Sequence, residues 1–529
     1  MQALRWIGIS LLLLAAPALA DSGGGAAPRQ TFGAANYAVL GAYLAAMVAM
    51  GAWFSRREKS TDDFFLAGRR VPWWAAGLSI FGGGLSAITF MAIPAKAFQT
   101  NWAYLLTSLA PVLFIPFVVA FYIPFYRRLR VTTAYEFLER RFNLPARWFA
   151  SAYFVLFQFG RMAIVLYLPA VALSTVTGLN VYACVLVMGV LATAYTAMGG
   201  IEAVIWTDVV QVVVLTGGAV LALFLVAAKV DGGFAGIVAT GQSHGKFHTF
   251  NWTWDYTVAA VWVMALGSFL SAVSPNTADQ SVVQRYLTTR DERAAKKAAW
   301  TSALLGIPTA FLFFFLGTAL FAFYHAHPRQ LPADLDRSAI LPLFIMQQMP
   351  PGLSGLVIAG IFAAAMSSVD SGMNSVATAV TTDFYRRLRP HRPERRYLNV
   401  ARIVTLATGA IATVVALAVA RVVTQSQVKG PLDLFFEIMG LFGGSLGGLF
   451  VLGIFTRRAS GAGALVGAGL SAAAVFLVKT CTNVHLMLYA GIGLGVCVAA
   501  GYLASLALPA GRKDLSGLTV YTMPPESYG

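Results

Sequence analysis

Charge is scarce in this chain: only 11% of its 529 residues are Asp, Glu, Lys or Arg. A soluble domain carries about a quarter, so most of this surface is built to meet hydrocarbon rather than water. Cysteine is scarcer still. Cys184, Cys481 and Cys497 stand far apart with no CxxC pair, which excludes a disulfide framework and a thiolate metal knuckle. The six histidines fall mostly in loops, His325 and His327 in an external one, so no metal centre is expected from them. The hydrophilic stretches hold no paired acid and base, no nucleophile near a histidine and no phosphate loop. That absence argues against an enzyme and against an organic cofactor. The formal net charge of +16 could suggest nucleic acid. Its basic residues sit instead in short clusters between apolar runs, the pattern of positive-inside loops. Nucleic acid is therefore not an expected partner.

What is present is hydrophobic length. The composition is 58% hydrophobic with mean hydropathy +0.70, and runs of roughly 20 apolar residues, enough to span a bilayer, recur throughout. The first twenty residues differ. Arg5, the apolar stretch 7–14 and Ala-Leu-Ala before Asp21 read as a secretory signal peptide over 1–20. A flexible periplasmic tail, 21–35, follows it. With that tail outside, spans are predicted over 37–55, 73–98, 103–126, 148–173, 182–198, 204–229, 256–276, 299–324, 353–384, 401–423, 434–455, 462–478 and 486–508. Basic clusters occupy every second loop: Arg56, Arg57 and Lys59; Arg127, Arg128 and Arg130; Arg285, Arg290, Arg293, Lys296 and Lys297; then 386–396; then Arg457 and Arg458. The alternation predicts an all-α membrane protein of about thirteen helices. Its N-terminus lies outside and its C-terminus inside, and it has one transmembrane domain over 36–508 and a cytoplasmic tail over 509–529; a monomer is the expectation, which the alternation itself does not fix.

Two spans are irregular. One contains Gly82-Gly83-Gly84 and then Pro94; the other contains Ser271-Ala272-Val273-Ser274-Pro275. Paired interruptions five spans apart point to a five-plus-five inverted repeat with a binding site at the breaks, although glycines also permit close helix packing. Ionisable residues at membrane depth sharpen this. Asp370 lies in Ala364-Ala365-Met366-Ser367-Ser368-Val369-Asp370-Ser371, where Ser367, Asp370 and Ser371 share one helical side. Hydroxyls and a carboxylate are hard oxygen ligands for a small cation; otherwise the aspartate pairs with a basic residue. Asp208 is either an interfacial anchor or a second carboxylate on a cation path. Arg161, midway along an apolar run, either grips a carboxylate through its fork or forms an internal ion pair.

At these residues the chain resembles the sodium:solute symporter family over about 36–508. The stretches that carry the resemblance are Asp62-Asp63-Phe64-Phe65-Leu66-Ala67-Gly68-Arg69, Tyr135-Glu136-Phe137-Leu138-Glu139-Arg140-Arg141-Phe142 and Gly199-Gly200 through Trp206-Thr207-Asp208-Val209-Val210-Gln211. Gln284-Arg285-Tyr286-Leu287, Ser367-Ser368 and Leu452-Gly453-Ile454-Phe455-Thr456-Arg457-Arg458 complete them. The resemblance implies the inverted-repeat fold of the amino-acid and nucleobase sodium symporters. It also implies a sodium site at the carbonyls of Gly82, Leu85 and Ala364 with the hydroxyls of Ser367 and Ser368. A second sodium site would fall at Asp208, Ser367 and Ser371, with Asp370 where members that have this site carry a serine. Within the family the chain is most similar to bacterial sialic acid symporters. That similarity implies a solute site of Arg161, Ser86, Thr89, Ser108 and Phe269, although Ser108 stands where that branch has a glutamine.

The expectation is a sodium-coupled symporter in the inner membrane that imports a sialic acid such as N-acetylneuraminate or a similar carboxylate. Sodium is its coupling ion, and the small solute, sodium and lipid are its partners. A symporter for a neutral sugar, polyol or vitamin is the alternative within transport; a transporter-like sensor is the alternative outside it. Energetics favour two sodium ions for an anion. A tenfold gradient supplies ~1.4 kcal/mol per ion, and a potential of about 100 mV supplies ~2.3 per net charge. One sodium with a monoanion is electroneutral, whereas two supply about 5 kcal/mol.

Overall fold

The computed structural model describes residues 32–333, 335–423, 431–508 and 513–522. The signal peptide expected over 1–20, the expected tail up to residue 31 and the parts of the expected 509–529 tail outside 513–522 lie outside the described residues. Regular structure among the described residues is helical, with one isolated bridge between Val71 and Thr289. The principal helices are α1 (Ala34–Phe54), α2 (Trp73–Gly84), α3 (Ala87–Gln99), α4 (Trp102–Leu129), α5 (Leu144–Thr177), α6 (Val181–Lys229) and α7 (Val261–Ser271). They continue with α8 (Gln280–Thr288), α9 (Glu292–Ala326), α10 (Leu353–Ala379), α11 (Glu394–Val423), α12 (Pro431–Phe455), α13 (Gly461–Cys481) and α14 (Tyr489–Ala507).

Among the described residues nine helices are long and apolar enough to cross a membrane, or ten when the bent pair α2 and α3 counts as one span. Part of the larger sequence count comes from α6, whose 49 residues hold two helices joined across a kink at Gly200, where the sequence divides the chain at Gly199-Gly200. Straight, such a helix would reach ~74 Å, more than twice the hydrocarbon thickness. It turns at Gly200, whose φ of 55° and ψ of −152° are open only to glycine. Space demands glycine there too: a Cβ would sit 2.7 Å from the Phe64 carbonyl oxygen. The stretch around α7 and the apolar part of α12 (Met439–Phe455) are individually too short to count. In α4, Pro111, Pro116 and Pro124 each withdraw an amide, and the helix passes through 3-10 and π turns.

The α10 helix is the axis of the bundle. In its span, 89% of the most apolar window is buried, against 33–56% in the other long spans. Its sequence explains this: Gly355, Ala359, Gly360, Ala363, Ala364, Ser367, Ser368, Ser371 and Gly372 are small enough for neighbours to approach on all sides. Asn36 of α1 caps its start, accepting the amides of Gly352 at 2.7 Å and Gly355 at 3.1 Å.

Several charges are buried rather than solvated. Arg147 forks onto Asp383 at 2.7 Å and reaches Glu139 at 2.6 Å, while Thr133 and Ser151 also donate to Asp383. Arg141 donates to the carbonyls of Gly453, Thr456 and Ala459. The segment 513–522 straps this face: Lys513 donates to the carbonyls of Glu139 and Phe142, and the amide of Val520 to that of Ile454. Beyond the end of α1, both carboxylate oxygens of Glu58 are buried without a hydrogen-bond partner. That burial, with the Glu202 and Asp63 carboxylates nearby, pushes its carboxyl up to about 8.

Candidate functional site

The site begins where α2 stops. Three consecutive glycines pay maximal backbone entropy in a helix, and Leu85 leaves helical geometry with ψ of 73°. Ser86 then restarts the chain as the N-cap of α3, its hydroxyl accepting the Thr89 amide at 3.3 Å. The two halves meet at 54°. The break leaves last-turn carbonyls of α2 without helical amides, and that of Gly83 accepts instead from a side chain of another helix.

The second interruption falls further along than the sequence suggests. The stretch 271–275 stays close to helical through Ala272, in a short segment Val273–Thr277, and the chain departs at Asp279, with ψ of 114°. Asp279 caps α8, its Oδ1 accepting the amide and hydroxyl of Ser281 at 2.8 and 2.6 Å.

Between the two breaks lies a cavity of about 390 Å³. Gly83, Gly84, Leu85 and Thr89 line it from the first break, Asp279, Ser281 and Arg285 from the second, Ser108 from α4, Arg161 from α5 and Ser371 from α10. Arg161 donates to the Gly83 carbonyl at 2.9 Å, stands 4.0 Å from Asp279, and keeps a buried Nε with no hydrogen-bond partner. Both readings of Arg161 thus meet in one place, an acid beside it and an unused donor on the cavity. Of the other residues expected around a solute, Thr89 and Ser108 line the cavity. Ser86 is buried and its hydroxyl is spent on the cap. Phe269 packs edge-on against Phe114 and Phe117, ring centres 5.6 and 6.2 Å away, and is not part of the lining.

Next to the cavity the membrane-depth carboxylates gather. Asp208 of α6 receives hydrogen bonds from Ser79 of α2 and Ser367 of α10, so three helices converge on one fully buried carboxylate. A Cβ on Gly82 would lie 3.7 Å from that of Asp208, placing the first glycine of the break on the same group. Asp370 accepts from Tyr195 at 2.5 Å and from Ser371 at 3.3 Å. Ser368 keeps a buried hydroxyl with no hydrogen-bond partner, and Ala364 is buried one turn earlier on α10. The structure thus brings Gly82, Asp208 and Ser367 together, with Asp370 and Ser371 bonded to each other on the same face of α10 as Ser367.

Arg285 joins these groups, and the sequence places it wrongly. Counted among the charges of an internal loop, it is instead 2% exposed and paired with Asp208 at 2.9 Å. It also donates to Ser79 and Ser371, each at 2.6 Å, and to the Ser281 carbonyl. The physical reason is the late break: helix α8 starts only at Gln280, so Arg285 lies inside the bundle rather than beyond it. The sequence reading likewise missed Asp279 and Tyr195. An aspartate followed by a helical run after a proline-interrupted span was the available signal for Asp279. Glu437, unassigned from sequence, pairs with Lys479.

Residues 64–470 match the profile of the sodium:solute symporter family. The sodium/sialic acid symporter SiaT of Proteus mirabilis (strain HI4320) is 41% identical over 487 residues, 92% of this chain and 97% of that protein. The sodium/sialic acid symporter NanT of Aliivibrio fischeri (strain ATCC 700601 / ES114) is 41% identical over 477 residues, 90% of this chain and 94% of that one. Among solved structures, a substrate-bound, outward-open sodium-coupled sialic acid symporter superposes with a TM-score of 0.85 at 40% identity, covering 91% of this chain and all of that one. The nucleobase-cation symporter Mhp1, at 15% identity and a TM-score of 0.56, shares the fold over 85% of this chain and 96% of its own.

Proposed function

The chain belongs to the sodium:solute symporter family, and from that premise we propose that it imports a sialic acid, N-acetylneuraminate or a close relative, across the inner membrane with sodium. The observation that carries the solute class is Arg161: a buried guanidinium with an unused Nε, facing a cavity of about 390 Å³ between two helix breaks. A carboxylate is the group such a fork holds best, and the relatives that match along nearly their whole length are named for a sugar acid. In this reading thirteen spans, N-terminus out, comprise a five-plus-five inverted repeat, with α2–α3 and α7–α8 as its paired broken helices. The chain acts as a monomer and has no catalytic step.

Sodium is a transported substrate here, and the residues suit it. The first ion would sit at the carbonyls of Gly82, Leu85 and Ala364 and the hydroxyls of Ser367 and Ser368. The unpaired hydroxyl of Ser368 supports this assignment, since a buried hydroxyl without a partner is costly unless a ligand satisfies it. A second would be held by Asp208, Ser367, Ser371 and Asp370, oxygen donors of the hard kind. The solute would lie against Arg161, Thr89 and Ser108, with Ser86 shaping the wall through its cap and Phe269 packing behind it. Binding at the breaks ties α2 to α10 and α6, and closure of the cavity followed by opening inward releases the cargo.

Uptake into proteoliposomes tests the reading. A sodium gradient should accumulate radiolabelled N-acetylneuraminate, blocked by excess unlabelled sialic acid but not by glucose, galactose, myo-inositol, pantothenate, lactate or proline. Sodium-driven uptake of one of those neutral competitors, with no sialic acid transport, would keep the symporter and discard the solute.

A further inference from the structure

Arg285 is a cation already seated on a carboxylate that the proposed function assigns to sodium. Its Nη2 lies 2.9 Å from Asp208 and 2.6 Å from the Ser371 hydroxyl, and its Nε lies 2.6 Å from Ser79. Asp208 and Ser371 are two of the proposed second-sodium donors, so the guanidinium and the ion would compete for the same oxygens. Arg285 occupies Oδ2 of Asp208 and the Ser371 hydroxyl, so a sodium ion taking those two oxygens must displace the guanidinium, which like charge also disfavours beside it.

The surroundings give the displaced group somewhere to go. Arg285 lines the same cavity as Arg161, and only glycine separates it from the first break: a Cβ on Gly83 would lie 3.9 Å from its Nη2. The short helix that carries it is capped by Asp279, which stands 4.0 Å from Arg161. One two-turn helix thus faces the solute arginine at its start and the sodium carboxylate further along. We propose that Arg285 is a tethered cation that holds Asp208 until the second sodium replaces it, and that the freed guanidinium then turns to the cavity as a second arginine for the solute anion. Sodium would then create part of the anion site rather than merely sit beside it, and solute binding would require sodium for an electrostatic reason.

The inference rests on the reading of Asp208 as a sodium site, and the experiment separates the two. Sodium binding to the purified full-length protein is measured by calorimetry without solute, with choline replacing sodium at constant ionic strength. Arg285→Met should bind the second sodium about tenfold more tightly than wild type. Arg285→Lys, which keeps a tethered charge, should stay within about threefold. At saturating sodium Arg285→Met should bind N-acetylneuraminate about tenfold more weakly, and that binding should no longer tighten with sodium. In case Arg285→Met does not fold, the wild type carries its own readout. Modification of Arg285 by phenylglyoxal, located by peptide mass spectrometry, should rise when sodium replaces choline. Unchanged or weaker sodium binding in a folded Arg285→Met, or modification indifferent to sodium, overturns the tethered cation. Tighter sodium binding with solute affinity and its sodium dependence intact overturns the hand-over. If wild type binds a single sodium, or Asp208→Asn leaves two, the reading of the second site falls together with the inference.

Discussion

Replacing Arg161 separates solute binding from sodium binding. Its guanidinium gives one Nη2 hydrogen to the Gly83 carbonyl, at 2.9 Å, and leaves Nε and the second Nη2 hydrogen, one edge of the fork, for a ligand. A carboxylate taken by two such donors gains two charge-assisted hydrogen bonds of about 1.5–3 kcal/mol each. Arg161→Lys keeps the charge but offers a single point donor, so it should lose one bond, a solute affinity lower by about 10- to 150-fold. Arg161→Met loses both bonds and the charge and should show no measurable solute binding. Asp279 competes with the solute for the same guanidinium; two unit charges 4 Å apart attract by about 4 kcal/mol at an effective dielectric of 20. Asp279→Asn should therefore tighten solute binding, while the cap of α8 survives because asparagine caps about as well as aspartate. The assay is displacement of radiolabelled N-acetylneuraminate at saturating sodium, with sodium binding in the absence of solute as control. Solute affinity within threefold of wild type in both Arg161 variants would refute the carboxylate reading.

Asp208→Ala and Asp370→Ala should each lower the sodium Hill coefficient of uptake from about two toward one; a wild-type coefficient of one would contradict a second ion. Gly200→Ala should destabilise the protein by ~3 kcal/mol or more, since the backbone is glycine-only and the new methyl meets the Phe64 carbonyl 2.7 Å away; a thermal-shift assay in detergent showing no change would contradict this. Asp383→Asn strands the buried Arg147, and removing one partner of a buried pair costs about 3–5 kcal/mol. Glu139 still faces that arginine, so the lower figure is expected in the same assay. Glu58 has a carboxyl raised to about 8, above its unfolded value of about 4.3. Its contribution to stability is complete below about pH 4.3 and is lost as pH rises through about 8. Glu58→Gln should therefore be more stable than wild type at pH 8, with the advantage shrinking toward pH 5; a gap independent of pH would contradict this.

How far the sequence could be read depended on whether the deciding interaction was local. The Gly82-Gly83-Gly84 break and its serine cap are written in adjacent residues, and the structure bends there. The small-residue pattern of α10 likewise announces a helix packed on all sides. Arg285 failed for the opposite reason. Its charge looks the same in sequence whether it solvates a loop or pairs with a carboxylate 77 positions away, and a late start to α8 was enough to move it inside. Asp370 was singled out as costly without a partner, but its partner, Tyr195, lies 175 residues away and carries no local mark. Ser86 and Phe269, carried over from the family, stand beside the cavity's helices, one engaged in a cap and the other in an aromatic cluster, contacts that no adjacent residue announces.

The strap of residues 513–522 has a consequence for biogenesis. Its contacts reach back to Glu139, Phe142 and Ile454, segments the ribosome has finished long before. Synthesis runs at roughly 5–20 residues per second, so the start of α5 and the end of α12 are made seconds before the piece that fastens them. A reporter fused directly after α14 would replace that fastener with a bulky stranger, whereas the same reporter placed beyond residue 522 would leave it in position. Topology mapping by fusions should therefore treat the two junctions as different proteins.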